Sequence, residues 1–588
     1  MTRALLGRIG LAVLAAALSG CGGGGGSGST SPLALVPGGN PTAKPTSVPA
    51  DSNGPVTFLQ NSGPLSTSGA IAGGSRQAII AVMSSADQPN AAFALDTLTV
   101  GTPGVSQTQA RVRTSAAVVP PQSARTPVEA FAVDEHPITP RLQPAQAGEP
   151  PAPRTRMSVL PSAPAVGSQA NVWVQQGILG GTRTNAQVPA TLLVQTAHGN
   201  IWVDNSIAGS LRANAPELAA DFENAYASDT AHFASADYGN DAPGLSPRYN
   251  ACSGSGSKTG TTAAYITEPA DHRINVLVVN GAALGGLGGY FSAANYMTQS
   301  ALNCLSGGYR SNEAPFIFVG WFGANGSTYE LQEDLVRATA HELQHLINFV
   351  NHAILAPGAS STSFNGYETT FLNEGLSMLA QDQAVRTMYS ARGVQFDADD
   401  AVARASAYLA HPEDYSLSSF SGIDPAQWGG NGNPTYNCFG GCYGAAYLFQ
   451  RYLSDRFGGD AYTHAMETSG VVGTANLLAV TGESAQNLQA DFALAMAANS
   501  MGVAVKDRRF QFGSLSLTSS YADQFGSRTQ LSGVYAVPAT GASTNVQTPV
   551  GGFSYVAIGQ VPASGLPVQV NDQASVGGFG LMGGLSQH

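Results

Sequence analysis

A chain of 588 residues that is 43% hydrophobic has apolar material for a large core, enough for roughly two to four folded units. Charged residues make up only 11%, while glycine (70) and proline (34) are abundant, so a folded body with long low-charge linkers is expected and disorder throughout is excluded. The net charge of −12 also excludes a nucleic-acid partner, because no basic stripe is present to neutralise phosphates.

The chain begins with a targeting pattern. Arg3 and Arg8 form a short basic region, residues 9–18 are an apolar run, and "LSGC" follows at 18–21. The run is too short to span a bilayer comfortably and has a signal peptide's layout. "LSGC" resembles the lipobox of bacterial lipoproteins. The resemblance implies that residues 1–21 are a signal through its lipobox and that Cys21 is lipidated as the mature N-terminus. The chain would then be exported and anchored to a membrane through Cys21, and Gly22 after the cysteine points to an outer membrane or cell surface. A plain secretory signal with an incidental cysteine is the alternative. No other segment approaches 18 uninterrupted apolar residues.

Residues 22–75, starting "GGGGGSGSTSP", read as a flexible tether. Within 76–102, "QAIIAVM" and "AAFALDTLTV" suggest two strands of a small β unit. Residues 103–169 are dense in proline and read as an extended linker. A stretch of this kind ahead of a folded body raises the expectation that residues 56–165 act as an inhibitory pro-segment.

The main body is expected at 170–500. "NVWVQQ" and "ATLLVQTAHGNIWVDN" look like strands, and 215–228 like a helix. "RINVLVVNG" and "PFIFVGW" read as short apolar strands, the second either as a substrate-pairing edge or as an interior strand. Between them the glycines of "GAALGGLGGYF" suggest a mobile or closely packed loop. Helices are expected at 327–352, 368–388, 443–457 and 487–499, and a C-terminal β-rich unit at 501–588. Apart from Cys21 there remain Cys252, Cys304, Cys438 and Cys442. That even number suggests two disulfides in an exported chain, with 438–442 a feasible tight loop, or alternatively a four-cysteine zinc site.

"ATAHELQHLINFVNH", residues 338–352, carries the chemistry. His341 and His345 are four apart, so on a helix they lie about 40° apart on one face and can reach one ion. Glu342 is aimed about 100° from His341, which suits a base better than a ligand. Leu335, Val336, Leu343, Leu346, Ile347 and Val350 gather opposite the pair, so the helix is expected to bury that face and present the histidines. A random H-E-x-x-H is expected only about 0.005 times in such a chain, so coincidence is a poor explanation.

A catalytic zinc takes three protein ligands. The metzincin arrangement needs Gly and His at positions held here by Asn348 and Asn351, and His352 comes one residue late. "NEGLS", residues 373–377, offers Glu374 instead, on a following helix whose Leu372, Leu376 and Leu379 fall on the opposite side.

"HELQHLINF" followed by "LNEGLS" resembles the gluzincin metallopeptidases, most closely the hyicolysin-like secreted bacterial proteases, across roughly 170–500. The resemblance implies an α+β zincin-like fold, a mixed sheet with helices. It implies Zn2+ held by His341, His345 and Glu374, with Glu342 as base and protein or peptide as substrate. The oxyanion donor of such an enzyme would come from Tyr443, Tyr447 or His464. Where thermolysin-like enzymes place Asp to orient a histidine, this chain has Met378, which leaves Ser377, Asp382 or a backbone carbonyl for that task. Two other readings stay open: a non-catalytic surface binding or adhesion lipoprotein on the same scaffold, and a zinc hydrolase of a non-peptide bond.

Overall fold

In the computed structural model the described residues are 46–49, 55–60, 66–71, 77–85, 94–100, 130–134, 160, 164–176, 184–238, 266, 269, 271–284, 287–302, 309–323, 328–356, 368–394 and 400–418. Towards the C-terminus they are 420–422, 440–502, 505–522, 528–539, 543–548, 551–558, 566–572 and 579–587. Residues 1–45 with Cys21, and Cys252, Cys304 and Cys438, lie outside them. Cys442 is disulfide-bonded. Among the described residues no helix is long and apolar enough to cross a membrane.

The fold is α+β. Its main sheet has seven strands: β1 (Ala130–Asp134), β2 (Gln169–Gln176), β3 (Thr184–Gln195), β4 (Gly199–Asp204), β5 (Ile274–Asn280), β6 (Leu287–Ser292) and β7 (Phe316–Trp321). Their spatial order is β1-β6-β7-β5-β4-β3-β2. Strands β4, β5 and β7 run parallel, β6 returns antiparallel to β7, and β1 pairs parallel to β6. The apolar run of β5 is explained by cover on both faces. Ile274, Val276 and Val278 join the helix-side core, while Leu277 and Val279 join a second core on the other face. The sheet curls around that second core, so that the Gln175 backbone N–H on β2 donates to Tyr290 Oη on β6 at 2.9 Å.

Of the two readings of "PFIFVGW", the interior strand is the one observed, because β6 and β5 flank it. Of the glycine-rich stretch before it, Gly281–Leu284 is a 3-10 turn, and Leu287–Ser292 is the strand β6 where a loop was expected; Gly289 there lets a helix approach closely.

Among the described residues, eight helices of two turns or more cover the other face: α1 (Ala215–His232), α2 (Thr328–Phe349), α3 (Thr370–Ala391), α4 (Asp400–Ala410), α5 (Gly441–Phe457), α6 (Asp460–Thr468), α7 (Thr474–Thr481) and α8 (Ala485–Ser500). Helix α2 lies on β6 and β7 and is flanked by α1 and α3. It is therefore buried on every side from Ala338 to Val350, not on one face as its periodicity suggests, and it ends in a π-helical turn, Val350–Leu355. Helix α3 crosses α5 tightly. A Cβ at Gly375 would sit 2.7 Å from the Ala446 carbonyl oxygen, so glycine is required there.

The two ends of the chain fold together. A six-stranded sheet interleaves Thr46–Pro49, Pro55–Gln60 and Gln77–Ser85 with Phe579–Gln587, Phe553–Ile558 and Val537–Pro538. A four-stranded sheet likewise joins Ser66–Ile71 and Ala94–Val100 to Ser543–Thr548 and Leu566–Asp572. Three of these strands fall inside the stretch read as a tether, and the small N-terminal β unit and the C-terminal unit are one body. Ile79, Ala81, Phe553 and Tyr555 belong to the same core as the helices, and Phe553 meets Phe492 of α8 edge to face at 5.9 Å.

Candidate metal centre

Helices α2 and α3 bring the expected trio together. His341, His345 and Glu374 each offer one ligand atom, and these atoms lie within 4.8 Å of one another. Glu374 Oε2 is 3.2 Å from His341 Nε2 and 3.6 Å from His345 Nε2. A tetrahedral ion with bonds of about 2.0–2.1 Å spaces its ligands about 3.3–3.4 Å apart, so the two distances come within about 0.2 Å of the edges of such a cage. The imidazole planes stand at 80° to each other, as rings converging on one point from successive turns do. The three side chains are at most 3% exposed.

The electrostatics suit a cation at this point. Burial pushes His341 down to about 4, so it is neutral near pH 7. Burial would raise Glu374, yet the hydrogen bond with His341, with His345 close beside it, holds it down at about 2. An anionic carboxylate facing the neutral imidazole of His341 would be balanced by a divalent ion taking a lone pair from each of the three side chains. Glu342 adds to the demand. It is fully buried, and burial, reinforced by the charge of Glu374, pushes its carboxyl well above the usual range. The Phe291 backbone N–H opposes that shift, but neither carboxylate oxygen completes a hydrogen bond among the described residues. Such a group is costly unless something binds to it. The donor set of two imidazoles and a carboxylate, with an orphaned carboxylate alongside, fits a metal site with an open position.

Glu342 is seated against β6. A Cβ on Gly289 would lie 2.9 Å from Glu342 Oε1 and 2.8 Å from the Phe318 carbonyl oxygen, so only glycine leaves room. Tyr443 at the start of α5 also belongs to the site. Its ring tilts against His341 with centroids 6.2 Å apart, and the Arg404 guanidinium carbon lies 4.9 Å from the ring centre. Burial, then the charge of Glu374, raises its hydroxyl well above the ordinary value, which keeps it a proton donor.

The remaining candidates are sorted by the structure. Ser377 does hold an imidazole, with its Oγ 2.9 Å from His345 Nδ1. Asp382 does not: it bonds Arg386 at 2.9 Å, Arg451 at 2.8 Å and Tyr447 Oη at 3.0 Å. Tyr447 is thereby a buried structural partner, and His464 binds the Phe233 carbonyl through Nδ1 at 2.5 Å. Three participants go unnoticed in the sequence. Asn373 Oδ1 lies 3.0 Å from His345 Nδ1, Gln344 bonds Ser377, and Glu467 on α6 bonds Gln344 at 2.8 Å. Asn373 adjoins the ligand Glu374, a local signal. Glu467 is 122 residues beyond His345 and carries none.

No protein-family model and no characterised protein matches this chain.

Proposed function

We propose that the protein is a zinc-dependent endopeptidase of gluzincin type, exported and lipid-anchored through Cys21. The observation that carries the reading is the closed trio of His341, His345 and Glu374 with the buried, unbonded carboxylate of Glu342 beside it. A binding scaffold has no use for an orphaned carboxylate at that point, and removing it would stabilise the fold.

Bound by the trio, zinc would supply Lewis-acid polarisation of a carbonyl and acidify a water. Glu342 then accepts the proton of the attacking water on a carboxylate oxygen and returns it to the leaving amine. Tyr443 Oη, held protonated by burial, donates to the developing oxyanion. Ser377 and Asn373 hold His345 with its Nδ1 turned away from the ion. The site is buried, so a substrate must displace something to reach it. Strand β1, from the proline-rich stretch, pairs with β6, whose Gly289 touches Glu342. We read β1 as the chain's own occupant of the edge that a peptide would use, in keeping with an inhibitory pro-segment.

The test is metal analysis with cleavage of casein and of a peptide library. Chelator should abolish cleavage, and Glu342→Gln should keep zinc while losing about 10²- to 10⁴-fold in rate. Undiminished cleavage in Glu342→Gln would falsify the role of the base. Zinc uptake without peptide cleavage would favour a non-peptide hydrolase.

A further inference from the structure

We infer that Glu467 is a positioning residue for the metal site, acting on His345 through Gln344 and Ser377. This rests on the metal trio of the proposed function and is independent of what bond is cleaved.

The inference follows from the direction of each hydrogen bond. Glu467 accepts from Gln344 Nε2 at 2.8 Å and from Asn348 Nδ2 at 2.9 Å. Each carboxyl oxygen thus accepts one amide N–H. Both amides are thereby fixed with their NH2 groups toward α6. Gln344 must then present Oε1 to Ser377, and the Ser377 hydroxyl donates to it. Having given its proton to Gln344, Ser377 Oγ can only accept from His345 Nδ1, 2.9 Å away. Asn373 Oδ1, 3.0 Å from the same nitrogen, is a second acceptor. Nδ1 of His345 therefore carries the proton and Nε2 keeps its lone pair for the ion. Asn348, fixed by the same carboxyl, turns Oδ1 to His352 Nδ1 at 3.3 Å. Gln344, Asn348, Asn373, Ser377 and Glu467 are fully buried, so water cannot substitute for any link. The relay takes the place of the carboxylate missing at Met378.

The experiment measures Zn2+ affinity of the full chain by competition with a chromophoric chelator. Glu467→Gln puts an amide NH2 where an acceptor stood, so one of the two amides must turn over. Ser377→Ala removes the link to the ring. Each should weaken zinc about 10- to 100-fold, the usual range for outer partners of a ligating histidine. The reversed pair Gln344→Glu with Glu467→Gln restores every donor and acceptor. In that pair the new amide on α6 donates to the new carboxylate on α2 and accepts from Asn348, while the carboxylate still accepts from Ser377. It should recover most of the loss and return the ¹⁵N ring resonances of His345 to the Nδ1–H pattern. Merely structural roles predict no such rescue. Wild-type affinity in Glu467→Gln, or a reversed pair no better than that single variant, overturns the relay alone. A wild-type protein that takes up no zinc overturns the relay together with the metal reading.

Discussion

Helix α3 carries two buried carboxylates eight residues apart, Glu374 and Asp382, balanced in opposite ways. Asp382 has its counter-charges built in. Burial would raise it, but Arg386 and Arg451 hold it below the ordinary range, and Tyr447 completes its hydrogen bonds. Among the described residues the ion-pair partners of Glu374 are two imidazoles, and His341 is neutral near pH 7. The nearby Arg404 is itself paired with Asp400. The chain thus supplies guanidinium charge to one acid and sets the other among imidazoles with which it could hold a metal ion.

The sharpest test exchanges the two acids' roles. Glu374→Ala should abolish zinc uptake and cost less metal-free stability than the loss of Asp382, which is paired with two arginines. Asp382→Asn should do the reverse, binding zinc normally while losing about 3 kcal/mol by denaturant unfolding, because two arginines lose their buried partner. Equal stability losses in both variants would erase the distinction. Zinc itself should stabilise wild type by about 2.7 kcal/mol at a hundredfold excess over Kd. That gain should persist in Asp382→Asn and vanish in Glu374→Ala, which thermal melts with and without metal will show.

The same contrast explains what can be read from the sequence. His341, Glu342, His345 and Glu374 are legible because helical spacing alone puts them on usable faces. Ser377 is legible as one turn beyond Glu374. The full burial of helix α2 is not, because β6, α1 and α3 close over its polar side from distant parts of the chain. Asp382 cannot be told from a site residue, since Arg451 and Tyr447 arrive on α5. The composite β body is illegible for the same reason: Gln77–Ser85 finds Phe579–Gln587 almost a chain length away. Gly289 carries a signal, a glycine within an apolar run, whose meaning needs the position of Glu342.

Glu342 allows the contrast to be probed from the substrate side. Gly289→Ala forces a methyl group against its carboxylate and should slow cleavage about 10- to 100-fold by misplacing the base, with zinc affinity intact. A rate equal to wild type would remove β6 from the working site. Replacing Ala130–Asp134 by glycine and serine should instead raise the initial rate, with no change in zinc content. An unchanged or lower rate would show that β1 does not compete with substrate.

A third buried acid falls between the two extremes and yields a pH test. Asp221 on α1 faces one arginine, Arg392, at 3.6 Å, and neither of its oxygens is hydrogen-bonded among the described residues. Burial pushes it up to about 8, Arg392 opposing and Glu217 adding. The folded chain therefore keeps a proton that the unfolded chain releases above about pH 4. The associated stability is complete below that value and is lost as pH rises through about 8. Melting temperature measured from pH 5 to 8 should fall by about 2–4 °C for each kcal/mol lost, and Asp221→Asn should flatten the decline. Glu467, also pushed up to about 8 by burial, keeps its own share of the decline; a slope in Asp221→Asn as steep as in wild type would show that one arginine at this distance already balances Asp221, and the line drawn between Asp382 and Glu374 must then rest on hydrogen bonds rather than on charge.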